Sequence, residues 1–266
     1  MVTRTKAAPA AKPSTAVVSR AQVSLPAAVQ ESMNRDMAAF QERMSAPSGT
    51  RIAVTQDRKF RDPDGNKHDT ISGVIVDFIA KRAWYEGAYN KDNIVPPNCF
   101  TLGFEPHANL LPSINAPDKQ NEDCKTCQKG QFKSADNGKG KACKESYVLA
   151  LLPPDAEEDT ELRTLEISAT GIKPFEKYVR DLARDYGKAP YVFVTEFSMD
   201  DNVDYASVRA GNPQFADTEL IALAYSRRED AAKLLSVEPN VGEFDEKVVA
   251  ARVTKRAPAK PASARK

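Results

Sequence analysis

The stretch "TISGVIVDFIAKRAWYEG", residues 70–87, decides how the rest of the chain is read. It is dense in β-branched and aromatic side chains and reads as a long strand. Upstream, "RIAVTQDRKF" (51–60) alternates Ile52 and Val54 with polar residues, a second strand pattern. The link "RDPDGNKHD" (61–69) has the Asp, Asn, Gly and Pro content of a turn, so a β-hairpin over about 51–86 is expected. Downstream, hydrophobic periodicity disappears from 87 to 143, where Pro96, Pro97, Pro106, Pro112 and Pro117 interrupt the chain. A long irregular stretch of this kind implies an external constraint or a functional loop.

Order returns with the strands "ESYVLALLP" (145–153) and "LRTLEIS" (162–168), separated by the acidic loop "PDAEEDTE". The segment "KPFEKYVRDLARDYG" (173–187) has proline near its start and glycine at its end. It gathers Phe175, Tyr178, Val179, Leu182 and Tyr186 on one face, which predicts a helix. "PYVFVTEFSMD" and "VDYASVRAG" read as two more strands joined by an Asp/Asn turn, and Asp217 caps a last helix over 218–235. An amphipathic helix is expected over 27–44, through Val29, Met33, Met37, Phe40 and Met44. The pattern is mainly β with α, an α+β chain. It suits an OB-type Greek-key barrel, which carries a helix between its third and fourth strands.

Charge is divided along the chain. Net charge is +1, yet residues 1–20 hold four basic residues and no acid, and residues 247–266 hold seven and no acid. Setting those eleven apart from the 38 basic residues leaves 27 against 37 acidic ones in the body. The Ala-, Pro- and Lys-rich ends bury too little apolar surface to offset ordering, so disordered basic tails are expected at 1–24 and 237–266 around a domain at 25–236. No run approaches the ~20 apolar residues of a membrane span. The N-terminus lacks the apolar region of a secretory signal, which leads to an expected cytoplasmic location and no membrane partner.

Three of the four cysteines fall within "CKTCQKGQFKSADNGKGKAC", residues 124–143, where only Phe132 offers a large apolar side chain. Such a segment needs something other than packing to hold it. Cys124 and Cys127 form a C-x2-C pair, Cys143 follows, and Cys99 lies upstream, so four thiolates are present for one structural Zn2+. His107 is the alternative to Cys99 as fourth ligand. The insertion that the metal would stabilise is set at 96–144. Disulfides do not suit a chain read as intracellular, an iron–sulfur cluster usually has a tighter spacing among three of its ligands, and a redox C-x2-C is expected at the start of a helix after a strand, a context this segment lacks.

Between 119 and 144 seven lysines face three acids. Two further groups join cations to aromatic rings, Arg58, Lys59, Phe60 and Arg61 in one, Lys81, Arg82, Trp84 and Tyr85 in the other. Single-stranded nucleic acid asks for that combination, cations for phosphate and ring faces for bases. The candidate contacts are these eight residues together with Phe132, Lys133, Lys139 and Lys141.

The motifs "SGVIVDFIAKRAWYEG", "PPNCF" and "CKTCQKGQFKSADNGKGKAC" followed by a hydrophobic strand resemble the zinc-containing single-stranded DNA-binding proteins of tailed bacteriophages, over about residues 50–210. The resemblance implies an OB barrel with a zinc-bound insertion that coats single-stranded DNA in phage replication and recombination. It also implies Cys99, Cys124, Cys127 and Cys143 as metal ligands, and replication or recombination proteins as partners. Many such proteins end in an acidic tail, whereas this chain ends "RVTKRAPAKPASARK", a departure that bears on recruitment of those partners.

Two other functions compete. A zinc-stabilised adaptor would use its basic tails on a protein or on duplex DNA. A magnesium-dependent nuclease would use Asp200, Asp201 and Asp204 of "FSMDDNVD", although Asp and Asn are common in turns for conformational reasons alone. No P-loop, G-x-S-x-G or HExxH motif occurs, and a non-enzymatic protein is expected.

Overall fold

The computed structural model describes residues 50–87 and 95–239. The expected helix at 27–44 and most of both tails lie outside them. The architecture is mixed α+β: among the described residues nine strands form one strongly curled half-barrel sheet, accompanied by three α-helices.

The strands are β1 (Arg51–Val54), β2 (Phe60–Arg61), β3 (Lys67–His68), β4 (Ile71–Trp84), β5 (Cys99–Gly103), β6 (Lys144–Leu152), β7 (Arg163–Ser168), β8 (Phe193–Met199) and β9 (Val208–Phe215). The helices are α1 (Ala169–Tyr186), α2 (Thr218–Ser226) and α3 (Arg228–Leu235). The sheet runs β3-β2-β1-β7-β6-β4-β8-β9, with β5 joined to β4. β4 is the spine. One of its edges carries β6 along Val74–Ala83, while β8 and β5 share the other edge, at Ile71–Val74 and Ala80–Trp84 respectively. A register shift between Ile75 and Asp77 marks a bulge, which bends so long a strand and lets the sheet curl.

Both faces of the central strands are covered, which explains why "VIV" in β4 and "YVLALL" in β6 are nearly continuous apolar runs. Leu149, Leu151, Leu165 and Ile167 face a core closed by Ile172, Phe175, Tyr178 and Leu182 of α1. Val74, Val76, Ala150 and Leu152 face a second core closed by Leu220 and Ala224 of α2 and Ala231 and Leu235 of α3. No helix among the described residues is long and apolar enough to cross a membrane.

Four expectations are corrected. β1 does not pair with β4; it runs parallel to β7 and antiparallel to β2, and the turn chemistry of 61–69 instead joins the short strands β2 and β3. The irregular stretch contains β5, whose "CFTLG" is too short to register as a period. α1 begins at Ala169, before Pro174. Pro174 has no N–H for the Thr170 carbonyl, and Arg209 donates its guanidinium N–H to that oxygen instead, at 3.4 Å. The last helix breaks at Arg227, turning α3 as a separate segment onto the β4 face. Asp217 caps α2 as expected, its carboxylate accepting from the Leu220 amide at 2.7 Å, and Gly187 ends α1 at φ +61.

No backbone ladder joins β7 to β9; the N-terminal turn of α1 lies between their ends. Gly171 permits this approach, since a Cβ there would sit 2.5 Å from Ile167 Cγ2 and 3.0 Å from the Val208 carbonyl. Ser207 donates to Thr170 Oγ1 at 3.0 Å across the same junction.

Candidate metal centre and nucleic-acid face

The end of β4 and the start of β5 fix the first part of the site. Their antiparallel register sets Cys99 opposite Trp84. Cys143 ends the long loop immediately before β6, and its amide donates to the Lys129 carbonyl at 2.8 Å. Gly130 donates to the Cys127 carbonyl at 3.0 Å, a tight turn that follows the C-x2-C pair. Residues far apart in sequence are thereby folded onto one spot.

All four cysteines line a single cavity of about 20 Å³, together with Arg82, Trp84 and Lys129. None is in a disulfide; Cys99, Cys124 and Cys127 are buried and Cys143 is partly so. As they stand, no group of three or more His, Cys, Asp or Glu side chains among the described residues is arranged to hold a metal ion. Sharing one cavity is a looser condition than being ligand-ready. It is the condition that a site ordering only as it takes its ion would meet. His107 does not line the cavity. Its Nε2 lies 2.8 Å from the Ser146 carbonyl and its ring packs edge-on against Tyr147, so it is not placed as the fourth ligand.

The thiols respond to one another. Burial pushes the Cys143 thiol up to about 12 and the Cys124 thiol up to about 11, with neighbouring cysteines adding to the rise and Arg82 opposing it. Cys99 is raised as well, chiefly by burial. Burial thus disfavours the thiolate form, and a divalent cation bound by the sulfurs would offset that penalty. In chemistry this donor set suits structural zinc, and Cys99, Cys124, Cys127 and Cys143 are the residues that would hold it.

The expected nucleic-acid contacts separate into several environments. Phe60 is fully buried in the core under α1 and has no ring face for a base, which corrects its assignment. Arg82 is corrected too: it is 7 % exposed, donates to the Cys124 carbonyl at 2.8 Å and pairs with Glu145 at 2.6 Å. Alternation along β4 turns Arg82 inward, whereas Lys81 points to the other face and pairs with Glu166 at 3.1 Å. Trp84 is partly buried, with the Lys129 ammonium 4.7 Å from its ring centre, and Tyr85 is exposed. Phe132, Lys133 and Lys139 are exposed on the loop, and Lys141 pairs with Glu145 at 2.9 Å.

Arg58 and Lys59 are engaged elsewhere. Arg58 donates to the Asp200 carbonyl at 2.7 Å, tying the β1–β2 turn to the β8–β9 loop, and Lys59 pairs with Asp69 at 2.9 Å. Arg61 is exposed on β2. The three aspartates weighed for magnesium do not form a cluster: Asp200 accepts from Asn202 and Arg209 within the β8–β9 turn, Asp201 reaches Arg58 at 3.4 Å, and Asp204 is exposed.

Sequence reasoning did not single out Lys129, Glu145 or Glu166. Lys129 differs in no local feature from the other loop lysines, so its place over Trp84 is a product of the fold. Glu166 gathers Arg51, Lys81 and Ser146 from β1, β4 and β6, a cross-strand cluster that no single segment announces. No family model, curated protein or solved structure matches the chain.

Proposed function

We propose that the protein binds single-stranded DNA without cutting it, through a face built on the end of β4 and the cysteine loop. The carrying observation is the convergence of Trp84, Lys129 and the four cysteines on one cavity at the end of β4, with exposed Tyr85 following directly in sequence. A ring with a lysine ammonium beside it is a surface on which a base can stack while its phosphate is neutralised. The loop supplies more positive charge through exposed Lys125, Lys133 and Lys139, and an exposed ring in Phe132.

The strand order supports an OB-type reading of the half-barrel. In β7-β6-β4-β8-β9 the three-strand meander is followed, after α1, by a hairpin on the other side of β4. That is the order of an OB barrel, with its helix between third and fourth strands. The long loop then falls between the first and second strands of that barrel, one of the two loops such folds use to grip oligonucleotides. Structural zinc on the four cysteines would hold this loop against β4. The setting we propose is phage DNA replication or recombination in the host cytoplasm, with replication or recombination proteins as partners.

The test is a titration of Trp84 fluorescence with thymine oligomers and with duplex DNA at two salt concentrations. Trp84 is the only tryptophan, so the signal is local. Binding of single strands that weakens steeply with salt, with a log–log slope of about −0.7 per phosphate neutralised, is expected. Equal affinity for duplex would favour the adaptor reading, and shortening of the oligomer on adding magnesium would favour a nuclease.

A further inference from the structure

The cation nearest the cysteines does not have the environment of a nucleic-acid contact. Arg82 is buried, and two of its three nitrogens have partners: Nη1 donates to the Cys124 carbonyl at 2.8 Å and Nη2 pairs with Glu145 at 2.6 Å. The third, Nε, is buried without a hydrogen-bond partner, although Arg82 lines the same cavity as the four thiols. A buried N–H donor left unpaired forfeits its hydration without a replacement bond, so an acceptor is expected once the site is complete. The loop also makes room for the guanidinium. A Cβ at Gly130 would come within 3.3 Å of Arg82 Nη1 and of the Cys124 carbonyl.

We infer that Arg82 is the outer-shell partner of the four-cysteine metal site, its Nε–H donating to a metal-bound thiolate sulfur while Nη1 fastens the loop to β4 and Nη2 is held across the sheet by Glu145 of β6. The inference rests on the metal reading above. Zinc held by four thiolates carries two surplus negative charges, which a buried guanidinium offsets. A thiolate accepts N–H hydrogen bonds far better than a neutral thiol, so a metal-bound sulfur is the acceptor this donor suits. Arg82 also lies two residues before Trp84 on the same strand face, so a shift of the guanidinium on metal binding reaches the ring proposed to stack on DNA. Arginine is specified over lysine because three directed donors at fixed angles are needed at once.

The experiment uses the full chain loaded with zinc, with affinity read by competition against a chromophoric chelator. Arg82→Gln is expected to weaken zinc binding about 10- to 100-fold, the usual loss for an outer-shell partner. Glu145→Gln, which frees Arg82 from its carboxylate but leaves Nε–H in place, is expected to keep wild-type affinity. If both variants weaken binding alike, Arg82 only braces the loop and the inference fails; it fails equally if Arg82→Gln binds zinc as tightly as wild type. A second measurement needs no variant. In wild-type protein carrying cadmium-113 and nitrogen-15 arginine, the Arg82 Nε–H is expected to show scalar coupling to the metal and slow exchange, and an uncoupled, metal-insensitive Nε–H overturns the assignment. Should the wild type take up no metal, the metal reading and this inference fall together. Binding of DNA by such a metal-free protein would leave only the DNA reading standing.

Discussion

If the four cysteines hold zinc as proposed, removing it should loosen one loop and leave the sheet intact. Between Phe104 and Cys143 the buried residues are only Leu110, Pro112, Cys124, Cys127 and Gly130, so little apolar packing holds the loop apart from the cysteines. The amides of Gly130 and Cys143 are bonded within the loop, to Cys127 and Lys129, and have no strand neighbour to protect them if the loop opens. With free zinc at a thousand times its dissociation constant, binding contributes about 4.1 kcal/mol to the closed loop, and chelation withdraws it. Exchange of those two amides should therefore accelerate about a thousandfold, while the β4–β6 ladder keeps its protection. The assay is amide hydrogen exchange by NMR with and without chelator, and Cys124→Ser should reproduce the chelated pattern. Unchanged loop exchange after chelation would refute the reasoning. So would a loss of protection shared equally by the β4–β6 amides, since the metal would then be holding the whole domain.

Phe60→Ala should lower global stability by about 3–5 kcal/mol because it empties a fully buried site, and should leave DNA affinity of the folded fraction unchanged; urea unfolding and titration of the same samples separate the two. Tyr85→Ala should do the reverse, weakening oligomer binding by about 1–3 kcal/mol with little effect on the unfolding midpoint. Gly171→Ala gains up to about 1 kcal/mol in helix propensity but meets Ile167 and the Val208 carbonyl, an overpacking cost of about 1–3 kcal/mol, so net destabilisation is expected in calorimetry. Asp62 accepts from His68 and Asn66, which holds its carboxyl down at about 2. Its contribution to the β2–β3 hairpin is present above the ordinary carboxylate range and lost as pH falls through about 2; an NMR titration should find that midpoint, and His68→Ala should raise it. Deleting residues 247–266, which hold seven basic residues and no acid, should weaken DNA binding and reduce its salt slope without abolishing it, as measured by anisotropy.

The folded structure separates what is local from what is not. Elements whose causes lie within their own residues were legible: the apolar run of β6, the amphipathic face of α1 with Gly187 at its end, the Asp217 cap of α2, and a cysteine-rich loop with almost nothing to pack. The turn at 61–69 was also correct as a turn. Its partners were not, because β1 selects β7, more than a hundred residues away, and strand pairing at that range leaves no local mark. Phe60 and Arg82 were misread for the same reason. Each stands beside cations or rings in sequence, but strand alternation and curl send one into the core and the other to the cysteines.

By itself the sequence determined composition, strand and helix periods, charge division and the number of thiols, since these depend on residue identity and near neighbours. Only the tertiary structure decided that Cys99, not His107, shares a cavity with the other three cysteines, that Lys129 is the lysine over Trp84, and that one arginine in a basic cluster lies buried with an unpaired donor. Those facts follow from the register of β4 against β5 and β6, and register is fixed by which faces the whole sheet buries.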